Sequence, residues 1–217
     1  MRALLVCLGT LFAASACSRP STLSSFEGAI TMQTSMAAGP RMSMVVQTKA
    51  DKLRFDIVGA GGPTHAVYDP SRSKVQFFID PDKKYMDLDF SLPAAAPNTA
   101  PGSSSIVRSG THKKIAGYDC EEVGVTDAAG KRSDVCIAQG IAYFDVNGLR
   151  PGAQRTESAM AREFRLHKSF PLESEEYGPD GKEVSRMVVT KIEPRKLDDD
   201  LFAVPSDYTK IELPVRH

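Results

Sequence analysis

Lys52-Leu53-Arg54-Phe55-Asp56-Ile57 alternates charged and apolar side chains along its whole length. Successive residues of a β-strand point to opposite faces, so this stretch is a strand with one face toward a core and the other toward water. The same period of two runs outward in both directions. Toward the amino terminus, Met42, Met44 and Val46 alternate with Arg41, Ser43 and Gln47, with Val45 out of step. Phe26, Ile30 and Met32 share a parity opposed to Glu27, Thr31 and Gln33. Toward the carboxy terminus, Val75, Phe77 and Ile79 alternate with Lys74, Gln76 and Asp80, with Phe78 intruding. Met86, Leu88 and Phe90 alternate with Tyr85, Asp87 and Asp89. Turn formers separate these runs: Ala38-Gly39-Pro40, Ala50-Asp51, Gly59-Ala60-Gly61-Gly62-Pro63, Asp69-Pro70-Ser71-Arg72 and Asp80-Pro81-Asp82-Lys83. Strand-like runs at spacings of about 8–12 residues predict an antiparallel meander with one buried face.

Residues 91–104 (SLPAAAPNTAPGSS) are a different material: three prolines, little charge and no period, which marks a surface loop. Strands resume over residues 105–115, 118–126 and 132–138. Residues 154–166 are rich in helix formers, and Met160 and Phe164 at i, i+4 give them a narrow apolar stripe, so this segment is the one predicted helix. Residues 170–177 and 183–193, joined by Pro179-Asp180-Gly181-Lys182, form a last hairpin. Asp198-Asp199-Asp200 opens a short helical turn, where acidic residues favour the positive end of the dipole. Val204-Pro205 and residues 208–213 are extended.

A length of 217 residues suits one domain, or at most two small ones. The 27 Lys and Arg residues balance 27 Asp and Glu, and no long basic run occurs, which argues against nucleic acid as a partner. Beyond the first residues, no stretch is apolar enough to span a bilayer.

Residues 1–17 have the form of a signal peptide: Arg2, then an apolar run from Ala3 to Ala16 that is too short for a membrane span. The segment ends Ala14-Ser15-Ala16-Cys17, which resembles the lipobox of bacterial lipoproteins. That resemblance implies lipidation at Cys17 and a membrane anchor, since each buried CH₂ contributes about 0.8 kcal/mol. An ordinary signal-peptidase cut after Ala-Ser-Ala is the alternative. Ser18, in place of Asp, implies sorting to the outer membrane by the same resemblance. Residues 18–25 form a flexible tether, and residues 26–217 a single domain.

Export leaves Cys120 and Cys136 as the cysteines to explain. Each lies eight residues from Ala128, at the middle of the turn Asp127-Ala128-Ala129-Gly130, so they fall near one another on paired strands. A disulfide there contributes about 3 kcal/mol. Two free thiols or a metal pair are the other readings, although no CxxC or histidine cluster accompanies them.

Three pieces together carry a family likeness: Lys114-Ile115-Ala116-Gly117-Tyr118-Asp119-Cys120-Glu121-Glu122, Val189-Thr190-Lys191-Ile192-Glu193, and Leu201-Phe202-Ala203-Val204-Pro205-Ser206-Asp207-Tyr208. They resemble the DUF4412-like bacterial envelope proteins, which in turn resemble the LolA/LolB-like lipoprotein carriers. The resemblance covers most of the chain after Cys17. It implies a mainly β (α+β) fold: a curled antiparallel sheet forming an unclosed barrel. One main helix and a short carboxy-terminal helical turn would lie on or across its concave side. The family offers no catalytic residue to carry over.

Chemistry-bearing patterns are sparse. His65, His112, His167 and His217 belong to no HExxH motif, and no Gly-x-Ser-x-Gly occurs. The glycines at 59–62 lack the Gly-Lys-Ser/Thr ending of a phosphate loop, and Asp80/Asp82 and Asp198–Asp200 do not have EF-hand spacing. We therefore expect no enzyme, no cofactor and no metal. The expected function is an envelope lipoprotein that binds a lipid, an acyl chain or another apolar ligand in its concave face. Met42, Met44, Phe55, Phe77, Met86 and Leu88 are the candidate lining. For each of them, membership of a closed core is the competing reading. The alternative function is a protein-interaction or sensing module of the envelope, with another envelope protein as partner.

Overall fold

A computed structural model describes residues 26–59, 62–69, 71, 74–89, 105–127, 130–141, 164 and 167–212. The predicted signal peptide, Cys17, the tether and the loop at 91–104 lie outside these residues.

Twelve strands form one sheet. In chain order they are β1 (Gly28–Met36), β2 (Met42–Lys49), β3 (Lys52–Gly59), β4 (Gly62–Asp69), β5 (Lys74–Ile79) and β6 (Lys84–Asp89). Then come β7 (Ser105–Ile115), β8 (Tyr118–Thr126), β9 (Arg132–Gln139), β10 (Ser169–Tyr177), β11 (Glu183–Pro194) and β12 (Thr209–Lys210). The spatial order is β12-β6-β5-β4-β3-β2-β1-β11-β10-β9-β8-β7, an unclosed sheet with β7 and β12 at its edges. Every pairing is antiparallel except β12 with β6. Two meanders therefore meet at one seam, where the last long strand, β11, pairs with the first, β1.

Local sequence explains the junctions. The β7–β8 hairpin turns through Ala116 and Gly117, both with positive φ (50° and 87°), as the tight twist-matched turn demands. At the seam, a Cβ on Gly28 would sit 2.2 Å from the Glu193 carbonyl oxygen, so only glycine lets β1 and β11 approach.

The predicted alternation of faces is observed, but the expected water side is not bare, since Gln47 and Gln76 on it are buried. Across six strands Ile30, Val46, Phe55, Ala66, Phe77 and Met86 stand side by side in one row. The main core cluster gathers Ile30, Met32, Val46 and Phe55 with Cys120, Cys136, Phe170 and Leu172. A second cluster packs Phe164 on Val123, Val125, Val135 and Ile137. The residue that breaks the alternation, Phe78, is fully buried on the opposite face from Phe55, with Val67, Leu197 and Phe202.

The α+β expectation is corrected. The predicted helix at 154–166 lies, apart from Phe164, outside the described residues. Among the described residues no helix reaches seven residues; there are two 3-10 turns, Asp80–Asp82 and Asp199–Phe202. The fold is mainly β. The second turn falls where the acidic run predicts it, yet it lies on the Arg54 side of the sheet, opposite Phe55, because Arg54 donates to the Leu201 carbonyl (3.0 Å). A strap of extended chain, residues 195–212, covers that face. Its backbone is satisfied by side chains and strand edges: Lys49 donates to the Leu197 carbonyl (2.8 Å), Leu197 N–H to Glu27 (2.8 Å) and Ile211 N–H to the Tyr85 carbonyl (2.8 Å). With its polar groups so paired, this face needs no helix to seal it.

Candidate functional site

The row through Phe55 supplies the first candidate. Ile30 and Val46 have no exposed surface and Phe55 keeps 4%, but Ala66, Phe77 and Met86, further along the same row, are half-buried. A parallel row ends in the same way, with Tyr68 and Val75 buried and Leu88 half-buried at its end. The apolar face thus passes from a sealed core at β1–β3 to a half-open shelf at β5–β6. Of the predicted lining, Phe77, Met86 and Leu88 share this shelf. Phe55 belongs to the core, and Met44 is half-buried beside it. Met42 stands apart at the start of β2, opposite Thr34 and exposed.

A second feature lies on β7–β10, where sequence reading predicts none. A groove of about 270 Å³ is lined by Ser109, Lys113, Gly124 and Val135, and by the carboxylates of Glu122, Asp134, Glu173 and Glu175. Lys113 bridges Glu122 (2.9 Å) and Glu173. Arg186 ties Glu173 (3.2 Å) to Glu175 and Glu183 (3.2 Å). Burial opposes the charge on Lys113, but hydrogen bonds to Glu173 and Glu122 outweigh it and hold its ammonium above the ordinary lysine range. The hydrogen bond to Glu175, then burial, pushes the Tyr177 hydroxyl well above the usual phenol range. The groove draws on four strands, and no local spacing signals it. Its only trace in the sequence is the unusual charge of β10, Glu173-Ser174-Glu175-Glu176.

Cys136 lies at the groove, joined to Cys120 by a disulfide with Cα atoms 5.4 Å apart. The register pairs Cys136 with Glu122, so the two cysteines are diagonal neighbours. The pairing expected from their symmetry about the turn is therefore present, and the free-thiol and metal-pair readings fall away.

The strap holds a third cluster. Tyr208 donates to Asp80 (2.6 Å), whose carboxylate also lies 2.9 Å from His65 Nδ1. His65 stacks on Phe78 with ring centroids 4.2 Å apart, and its buried Nε2 has no partner among the described residues. The Asp80 hydrogen bond, then burial, pushes the Tyr208 hydroxyl up to about 12. Here the Leu201–Tyr208 motif has a structural role: Phe202 fills the face and Tyr208 pins the strap to the turn at Asp80. Among the described residues, no group of three or more His, Cys, Asp or Glu side chains is disposed to hold a metal ion. No helix among them is long and apolar enough to cross a membrane.

The model of a family described as Domain of unknown function (DUF4412) matches residues 26–208. No curated protein matches the chain significantly. Among solved structures, an uncharacterised conserved protein from Thermus thermophilus aligns with a TM-score of 0.55 and 10% identity, over 88% of this chain and 90% of that one. The Pseudomonas aeruginosa MucA/MucB complex aligns with a TM-score of 0.52 and 11% identity, over 87% of this chain but 59% of that one. A LolA superfamily protein from Nitrosomonas europaea aligns more loosely, with a TM-score of 0.31 and 10% identity, over 85% of this chain and 91% of that one. At these identities the first two likenesses establish a shared fold and nothing about activity; the third is too loose to argue from.

Proposed function

This chain belongs to the DUF4412 family, and on that premise we propose that it is a non-enzymatic envelope lipoprotein that holds an apolar chain, such as a fatty acyl group, on the β5–β6 shelf. It is anchored through Cys17 in the outer membrane and faces the periplasm. One observation carries the reading: the row from Ile30 to Met86 stays apolar while its burial falls away toward β6. An acyl chain laid on Phe77, Met86 and Leu88 continues the core outward, and each Å² it removes from water contributes about 25 cal/mol. Methionine suits such a surface, because its flexible thioether adapts to ligands of different shape.

The test uses the processed full-length chain, extracted gently from membranes. Native mass spectrometry is expected to find a co-purifying lipid, and a fluorescent hexadecanoate to bind and be displaced by unlabelled fatty acid. Met86→Lys, at a half-buried position, is expected to weaken that binding at least tenfold without changing the melting temperature. If no lipid co-purifies and the fatty acid does not bind, the reading is wrong. A second reading is favoured by the fold shared with the MucA/MucB complex: a protein segment, in place of a lipid, occupies the domain. Crosslinking in intact cells that returns a defined envelope protein and no lipid would support it.

A further inference from the structure

The edge strand β7, whose outer side pairs with nothing among the described residues, adjoins the charged groove. Val107 pairs with Gly124, Gly124 with Asp134 and Asp134 with Glu175, so these four positions form a row on one face. Val107 is 64% exposed at the mouth of the groove, and Gly124 leaves the next position without a side chain. A Cβ at Gly124 would point toward the Asp134 carboxylate, 3.7 Å away, and thus into the groove. Behind it stand four lining carboxylates against one lining ammonium, Lys113. Arg186 and Arg132 sit around them, and the group of Glu122, Asp134, Glu173, Glu175 and Glu183 still exceeds its cations by two charges (five carboxylates, with Lys113, Arg132 and Arg186).

Nothing among the described residues pairs with the outer edge of β7. The register with β8 is irregular between Arg108 and His112, which divides the edge into residues 105–108, beside Gly124, and residues 112–115. Over the first stretch Ile106 points to the second core cluster and Val107 to the groove side. An added strand lies about 4.8 Å beyond β7. A lysine on it lays its four-carbon stem over Val107 and points its ammonium toward the open position at Gly124, on the side of Glu122 and Asp134.

We propose that the β7 edge and this groove dock an extended segment of a partner protein: the segment adds as a strand along residues 105–108 and places a basic side chain in the carboxylate groove. The apolar stem is matched to Val107, the charged head to the acid excess, and the backbone to an edge that is unpaired among the described residues. This site is separate from the β5–β6 shelf, so it stands or falls independently of lipid binding.

The probe is a nine-residue fluorescent peptide alternating threonine and lysine, compared with its threonine–glutamate counterpart, on the full processed chain. The lysine peptide is expected to bind at least tenfold more tightly, to weaken as salt is raised, and to slow amide exchange over residues 105–109. Gly124→Leu, which fills the groove where nothing but an ordinary contact lies in the way, is expected to weaken binding at least tenfold. Asp134→Asn, at a partly exposed position, is expected to weaken it about threefold and provides the same test should the leucine variant fail to fold. Equal binding of the two peptides overturns the proposal. Unchanged affinity in the folded variants, or protection elsewhere than on β7, does so too.

Discussion

The two wings of the sheet are fastened by different means. In the β2–β6 wing, the outer face is closed by chain from the far end of the sequence: Leu197 and Phe202 bury against Val67 and Phe78, and Arg54, Lys49 and Asp80 fix the strap. In the β7–β10 wing, a disulfide joins neighbouring strands, and ion pairs cluster around Glu173, which is itself buried. The difference teaches how an apolar face can stay half-open. A wing whose other face is sealed by a strap has stability from that side, and can leave Phe77, Met86 and Leu88 incompletely covered. The β7–β10 wing adds covalent and charged links to its own apolar cluster around Val123 and Ile137, and carries a polar groove.

The comparison breaks most severely at Phe202. Phe202→Ala removes the largest buried apolar side chain of the strap, from a site with 3% exposure, and is expected to cost about 3–5 kcal/mol. Amide exchange should accelerate on β4–β6 and residues 195–212 while β8 and β9 stay protected. Equal acceleration in both wings would show that they are one cooperative unit. Opening the disulfide is the complementary change. The cysteines are separated by 16 positions, and for a loop of that size its loss is expected to cost about 3 kcal/mol. In urea melts followed by exchange, reductant should loosen β8 and β9 first; loss of the strap first would invert the comparison.

The smallest effect is electrostatic and belongs to the strap. Burial works against the charge of Asp87, but hydrogen bonds from Lys210 and Gln76 outweigh it and hold its carboxyl below the ordinary 3.8. Lys49 does the same for Asp199, and Lys83 for Asp207. A carboxyl depressed on folding stabilises the fold fully above its unfolded value, and that contribution is lost as pH falls through the folded value. Strap protection, corrected for the intrinsic pH dependence of amide exchange, is therefore expected to be flat above about pH 4 and to fall below it. A strap unchanged down to about pH 2 would show that these pairs contribute nothing.

These contrasts also mark where sequence reading succeeds. Leu53, Phe55 and Ile57 alternate with charged residues, so β3 and its neighbours are legible, because a strand with one dry face writes its period into the chain. Ala116-Gly117 and the Cys120–Cys136 pair are legible for the same reason: their geometry is set within about twenty residues. Phe78 looks like an exception in the sequence because its burial depends on Phe202, more than a hundred positions away. The helix expected at 154–166 lies outside the described residues except for Phe164, whose burial on Val123, Val125, Val135 and Ile137 no local spacing announces.

The sequence by itself made the strands and turns legible, brought Cys120 and Cys136 near one another and carried the family resemblance, all through local patterns or short fixed spacings. Only the tertiary structure decided which apolar residues are sealed, that the carboxy-terminal motif is a strap on the face opposite Phe55, and that four strands assemble a carboxylate groove beside the edge strand β7. The reason is physical. Periodicity reports which face a side chain takes, while burial and charge balance depend on what other chain segments bring to that face.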